Sequence, residues 1–203
     1  PYASVDETRF MRGAGVEFGH KRFSLTTWAS RKGVDGSIDL SDTLENDDLR
    51  AASSINLSGY HRTTSELARK NSLQETVLGS NLKYEYRGFQ AGVSAVRQSF
   101  DAIYKRDDQL RNKYEFAGDE LINLSADYSY MRRNISVFGE VAQSTSSGSV
   151  AFLQGVVMAI GSRASLSALY RNYPKDYHTF YARAFGESSR AINESGIYVG
   201  GNF

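Results

Sequence analysis

Residues 121–144 read LINLSADYSYMRRNISVFGEVAQS, and this stretch decides the fold. Ile122, Leu124, Ala126, Tyr128 and Tyr130 alternate with Asn123, Ser125, Asp127 and Ser129. A tight basic turn follows at Arg132-Arg133. Ile135, Val137, Gly139 and Val141 then alternate with Ser136, Phe138, Glu140 and Ala142. The next tract, 150–160, is apolar, and beyond it Leu166, Ala168 and Tyr170 alternate with Ser165, Ser167 and Arg171. A period of two puts successive side chains on opposite faces of a sheet, one apolar and one polar. Repeated in long hairpins, that pattern is the wall of a transmembrane β-barrel, with lipid outside and a polar interior. The expected fold is therefore all-β, an antiparallel transmembrane β-barrel.

The same pattern extends towards the N-terminus. Ala14, Val16 and Phe18 mark a first strand, and Phe23, Leu25, Thr27 and Ala29 a second. Leu78, Leu82, Tyr84 and Tyr86 oppose Asn81, Lys83 and Glu85; after Arg87-Gly88, Phe89, Ala91, Val93 and Ala95 return the chain. A last strand covers 196–203, with Ile197, Val199 and Phe203 outward. Between these tracts, 33–74 reads as a long insert. It opens on an acidic, turn-rich loop at 33–48 and holds a short strand at 55–60. Thr63-Thr64-Ser65-Glu66 has capping-box spacing and starts a short helix to Lys70. A second short helix is expected over 174–185, with Pro174 at its first position and Tyr177, Tyr181 and Phe185 on one face.

Connection lengths set a topology. Turns at 19–22, 87–88, 131–134 and 161–163 are short, whereas connections at 33–74, 99–113, 143–149 and 173–195 are longer. Short turns belong to the periplasmic side of a barrel and long loops to the outside. Aromatic residues flank three of the four short turns, where an interfacial girdle lies. Strict alternation holds only if 55–60 is not a wall strand. That leaves about nine wall strands, an odd number, whereas bacterial single-chain barrels have even numbers. With Pro1 opening the chain in place of Met, residues 1–203 read as part of one outer-membrane barrel domain with strands missing on both sides. A soluble β-sandwich also alternates. One-sided loop lengths, aromatics at one end and polar faces rich in Gly and Ser favour the barrel.

Composition excludes several other classes. The 203 residues contain no Cys, so neither disulfides nor thiolate metal sites are available. The 24 basic and 23 acidic residues leave a formal charge of +1, which provides no electrostatic footprint for nucleic acid. Mean hydropathy is −0.45. No apolar run approaches the ~20 residues of a membrane helix, a test that a barrel strand is not subject to. The 13 Tyr, 11 Phe and 18 Gly against 2 Pro suit interfaces and crowded walls.

Three tracts carry a family resemblance. They are residues 53–63 with Glu66 and Lys70; residues 134–140; and residues 171–177 with Phe185, Glu187, Asn193, Glu194, Gly196 and Tyr198. Together they resemble the barrel region of large Bacteroidetes outer-membrane proteins known as helix-hairpin-helix proteins. The resemblance covers about residues 50–200 and implies a bacterial outer-membrane location. In that family the helix-hairpin-helix repeats lie upstream of the barrel, and further strands follow the equivalent of Tyr198. Asp42-Thr43-Leu44 also resembles the sequence that Bacteroidetes O-glycosylate on exported proteins, which makes Thr43 a candidate acceptor.

The candidate site residues divide into two groups. His61, Arg62, Arg69 and Lys70 form a basic cluster on the insert. Residues 51–74 are expected to fold inward as a plug and to meet Glu17, Glu85, Asp127 or Glu140 on the polar wall face. Arg171, Lys175 and Asp176 are expected to form a structural corner or to anchor the helix that starts at Pro174 through charge-assisted bonds. The acidic loop, with Asp39, Asp42, Glu45, Asp47 and Asp48, lacks EF-hand spacing and reads as solvated, so no metal is assigned. His61 and His178, with Ser58, Ser65, Asp176 and Glu187 as possible neighbours, lack a nucleophile elbow. No cofactor and no catalysis are expected. The leading expectation is a structural or interaction subunit contacting outer-membrane lipid and other outer-membrane proteins. The alternatives are a pore for a polar solute and a DNA-handling protein acting through domains outside the chain.

Overall fold

The hairpins of the second half form as their alternation dictates. β6 (Gly118–Arg132) and β7 (Ile135–Ser144) pair antiparallel through Ala126↔Val141 and Tyr128↔Gly139. β8 (Val150–Ile160), β9 (Ala164–Tyr173) and β10 (Glu194–Asn202) continue the ladder. The computed structural model describes residues 10–39, 50–56, 59–161, 163–188 and 190–203. Among them the earlier strands are β1 (Gly13–His20), β2 (Phe23–Asp39), β3 (Ala51–Asn56), β4 (Leu73–Tyr86) and β5 (Phe89–Tyr104). These described strands form one ten-stranded sheet, nearly all of it antiparallel hairpins of the barrel-wall type. No helix among the described residues is long and apolar enough to cross a membrane.

Three differences from expectation have physical causes. First, β2 runs through 33–39, where an acidic loop was expected, and β5 runs on to Tyr104. Second, the strand expected off the wall lies at Ala51–Asn56 and joins the sheet. It pairs antiparallel with Asp35–Asp39 of β2 and parallel with Ile103–Tyr104 of β5, while β4 also pairs with β2 and β5. Gly36 permits this approach, because a Cβ there would sit 3.1 Å from the Ser54 carbonyl oxygen. Third, 174–185 is not helical. The Tyr177 N–H turns back to the Pro174 carbonyl at 3.3 Å, and the tract that follows, with its His, Thr and aromatics, is a weak helix former. The helix expected from Thr63 is present as α1 (Thr64–Ala68), with the complete capping box: the Thr63 hydroxyl accepts from the Glu66 N–H and the Glu66 carboxylate accepts from the Thr63 N–H.

The chain divides into two compact units. Unit 1 comprises 1–15, 28–78 and 97–121; unit 2 comprises 16–27, 79–96 and 122–203. Unit 1 has a filled core of Val34, Leu73, Val77, Phe100, Tyr104 and Leu121. A polar group is enclosed with them: Lys32 lies 3.4 Å from Glu75, which also accepts from the Gln98 amide. In unit 2 glycines make room for aromatics. A Cβ on Gly155 would lie 2.3 Å from the Phe138 ring, and one on Gly139 would lie 3.0 Å from Tyr128.

Candidate functional site

The register of unit 2 assigns every side chain to a face. On one face Tyr128, Gly139, Gln154, Tyr170 and Ile197 stand in a row, and Tyr130, Val137, Val156, Ala168 and Val199 form the next. This face is apolar and open: Ile197 is 75% and Val199 74% exposed. Gln154, in the middle of this face, is satisfied locally, accepting from the Tyr128 hydroxyl at 2.6 Å and donating to the Phe138 carbonyl at 2.9 Å. The other face carries Asp127, Glu140, Leu153 and Arg171 in a single row.

Arg171 organises the most elaborate polar cluster of unit 2. Its side chain is buried, its Nε donates to the Glu194 carboxylate, and a terminal nitrogen reaches Glu187 at 3.5 Å. The Phe185 ring lies 5.6 Å from the guanidinium carbon. Glu194 also accepts the Glu187 N–H at 3.1 Å, so one carboxylate ties Arg171 to the returning chain. The Tyr173 hydroxyl donates to the Phe185 carbonyl at 2.9 Å. Tyr177 packs with Ala151, Tyr173 and Ala191, and burial, with Glu140 and Tyr173 adding to it, pushes its phenol up to about 12. A cavity of about 350 Å³ remains between this segment and the wall, lined by Glu140, Ala142, Leu153, Tyr173, Tyr177 and Phe185.

Further contacts close the corner. Asn123 donates to the His178 carbonyl at 2.8 Å, and the Ser146 hydroxyl meets His178 Nδ1 at 3.0 Å. A hydrogen bond from Ser149 holds the Asp176 carboxyl below its ordinary value. Arg171 and Asp176 thus both fix the segment after Pro174, as anchors of an irregular return rather than of a helix. Ser146, Asn123 and Glu194 are partners that sequence spacing did not reveal.

The basic cluster of the insert is not a unit. His61 Nε2 lies 2.7 Å from the buried Asp35 carboxylate, whose other oxygen accepts the Asn71 N–H at 2.9 Å. Arg62 stays exposed, 4.1 Å from the Tyr60 ring and 3.5 Å from Glu66. Arg69 contributes its carbonyl, which accepts from Gly36 and Ser72, and Lys70 lies in the turn that ends α1. The carboxylate that receives His61 and the Asn71 N–H is Asp35 of β2, a residue that the expected set of wall carboxylates does not include. Thr43 and the acidic residues 42–48 lie outside the described residues. Among the described residues, no three His, Asp or Glu side chains are grouped to hold a metal.

No protein-family model matches the chain, and no curated protein or solved structure is similar to it.

Proposed function

We propose that the protein is a bacterial outer-membrane β-barrel acting as a structural or interaction subunit of an outer-membrane assembly, without catalytic chemistry of its own. The carrying observation is the apolar face of unit 2. Row after row of Val, Ala, Ile and Tyr stands open on a sheet whose opposite face is charged. A water-soluble sheet of this size would expose a patch well above the few hundred Å² that monomers tolerate; lipid removes the penalty. Two further features support a scaffold over a solute pore. Unit 1 is filled by Leu73, Val77, Phe100 and the Lys32–Glu75 pair. In unit 2, the return after β9 is bound down by Arg171 and Glu194 rather than left as a free loop.

The test is fractionation of the native protein followed by mild-detergent purification and planar-bilayer recording. Partition into outer membranes, heat-modifiable gel mobility and negligible conductance are the expected results. Porin-like conductance would replace the scaffold reading with the pore. Recovery in the soluble fraction without detergent would refute both. On this topology, trypsin added to intact cells cleaves at the exposed Lys105 and Arg106 and spares Arg87 and Arg133.

A further inference from the structure

The four short hairpin turns of unit 2 share a chemistry that the wall does not require. They carry Lys21 and Arg22, then Arg87, then Arg132 and Arg133, then Arg163, and segments 20–22, 87–88, 131–134 and 161–163 contain no Asp or Glu. All six cations are exposed. Three occupy backbone positions that disfavour them: Lys21, Arg87 and Arg133 have φ of 55°, 45° and 54°. Such left-handed positions in tight hairpins are ordinarily filled by Gly, Asn or Asp, because a longer side chain gains nothing from the turn and its β-carbon is crowded. A cation kept there at three turns points to something outside the turn that favours the charge.

The turns also form one continuous rim. The Glu85 N–H donates to the Arg22 carbonyl, the Met131 N–H to that of Gly88 and the Ala159 N–H to that of Asn134, each at 2.8 Å, so each turn is bonded to the end of the next hairpin. Successive hairpins stand about 10 Å apart, within about one Debye length at physiological salt, so the fields of neighbouring turns add. Glu85, two residues before Arg87, is paired with Lys83 at 2.6 Å, and Glu17 also faces Lys83. Aromatic rings sit directly beneath: the Arg22 and Arg87 guanidinium carbons lie 3.9 and 5.2 Å from the Tyr86 ring centroid, and Phe23 packs on Tyr84 at 4.9 Å. An aromatic layer capped by guanidinium groups matches the boundary between hydrocarbon and headgroup.

We propose that this rim binds anionic phospholipid headgroups of the periplasmic leaflet, its guanidinium and ammonium groups engaging the lipid phosphates. The proposal rests on the barrel reading above and adds to it a lipid partner specific to one leaflet.

The test compares the parent protein with the triple variant Lys21→Asn, Arg87→Asn, Arg133→Asn. Asn tolerates the left-handed conformation, so the turns are kept while three charges are lost. Both proteins are refolded into vesicles of phosphatidylcholine, alone or mixed with phosphatidylglycerol. Protease protection of the strands reports insertion, and association of spin-labelled phosphatidylglycerol relative to spin-labelled phosphatidylcholine reports selectivity. Equal insertion is expected, with a salt-sensitive preference of the parent for phosphatidylglycerol to which each cation contributes up to about five-fold, and with most of that preference absent from the variant. Insertion without preference, or a preference unchanged in the variant, overturns the proposal while leaving the barrel intact. Binding of an acidic peptide without any phosphatidylglycerol preference overturns it in favour of a protein partner. Failure to insert into either vesicle overturns the barrel reading and this proposal together.

Discussion

Arginine placed on the apolar face at two depths tests the membrane reading directly. β7 has ten residues, Ile135 to Ser144. At a rise of about 3.4 Å per residue and a tilt of about 40°, each residue climbs about 2.6 Å, so the strand stands about 26 Å tall, close to the about 25 Å of an outer-membrane apolar band. The midplane then falls between Gly139 and Glu140, with Val141 about 4 Å and Ile135 about 12 Å from it. Both side chains are on the apolar face and equally open, at 41% and 42% exposure, so the packing lost on substitution is matched. Val141→Arg should cost about 2–4 kcal/mol and Ile135→Arg about 0–1 kcal/mol. Ser125→Arg is the control for the opposite face; Ser125 hydrogen-bonds Glu140 there, and a cation in its place meets a carboxylate rather than lipid. The assay is urea unfolding from lipid vesicles, followed by the fluorescence of the single tryptophan, Trp28. Equal penalties for Val141→Arg and Ile135→Arg, or for Val141→Arg and Ser125→Arg, would refute the assignment of lipid to that face.

Three further outcomes follow from local geometry. Gly155→Ala puts a Cβ 2.3 Å from the Phe138 ring and should lower stability by about 1–3 kcal/mol; the double variant with Phe138→Leu, measured by the same unfolding assay, should recover part of that loss. His61→Ala removes one of the two donors, His61 and the Asn71 N–H, that meet the buried Asp35 carboxylate and should cost about 1–3 kcal/mol, read as faster proteolysis within 59–72; Asp35→Ala combined with it should cost less than the two singly added together. The Arg62 N–H, and after it the Thr63 N–H, hold the Glu66 carboxyl below its ordinary value of 4.5. A depressed folded value means that this contribution is complete above the unfolded pKa and is lost as pH falls through the folded one. Amide exchange of α1, corrected for intrinsic rate, should therefore lose protection on acidification below pH 4.5 in the parent and show no such step in Glu66→Gln.

The wall was legible where both faces speak. In β6, β7 and β9 apolar and polar residues largely alternate, so periodicity places each strand and its facing, while β8 stands out as a continuous apolar tract between them. The ends of β2 and β5 were not legible for a specific reason. Gly33, Asp35 and Gly36 are poor strand formers, yet Ser30, Lys32, Val34 and Gly36 continue the buried parity of β2. Gln98, Phe100, Ala102 and Tyr104 do the same in β5, interleaved with Asp101 and followed by Lys105-Arg106. Charge in a sequence reads as loop, but here it belongs to strands whose charges are paired: Asp101 takes Arg50 at 3.1 Å, and Lys32 takes Glu75.

The same reasoning explains which site residues could be foreseen. Arg171 stands out as the one charge in the alternating tract 164–173, but its partners Glu187 and Glu194 lie 16 and 23 residues onward, and nothing in local spacing selects them. The partner of His61 is hidden in the same way. Alternation marks Glu17, Glu85, Asp127 and Glu140 as facing the polar side, so these are the counter-charges that the pattern offers. Asp35 falls within 33–48, which reads as an acidic, turn-rich loop. Once β2 extends to Asp39, Asp35 is a carboxylate buried to 5% exposure, and burying one without a partner costs far more than an exposed ion pair contributes. A nearby donor then has to be drawn onto it. His61 and the N–H of Asn71, at the two ends of the segment that contains α1, are the donors it takes, so the requirement of one buried carboxylate sets where the insert docks.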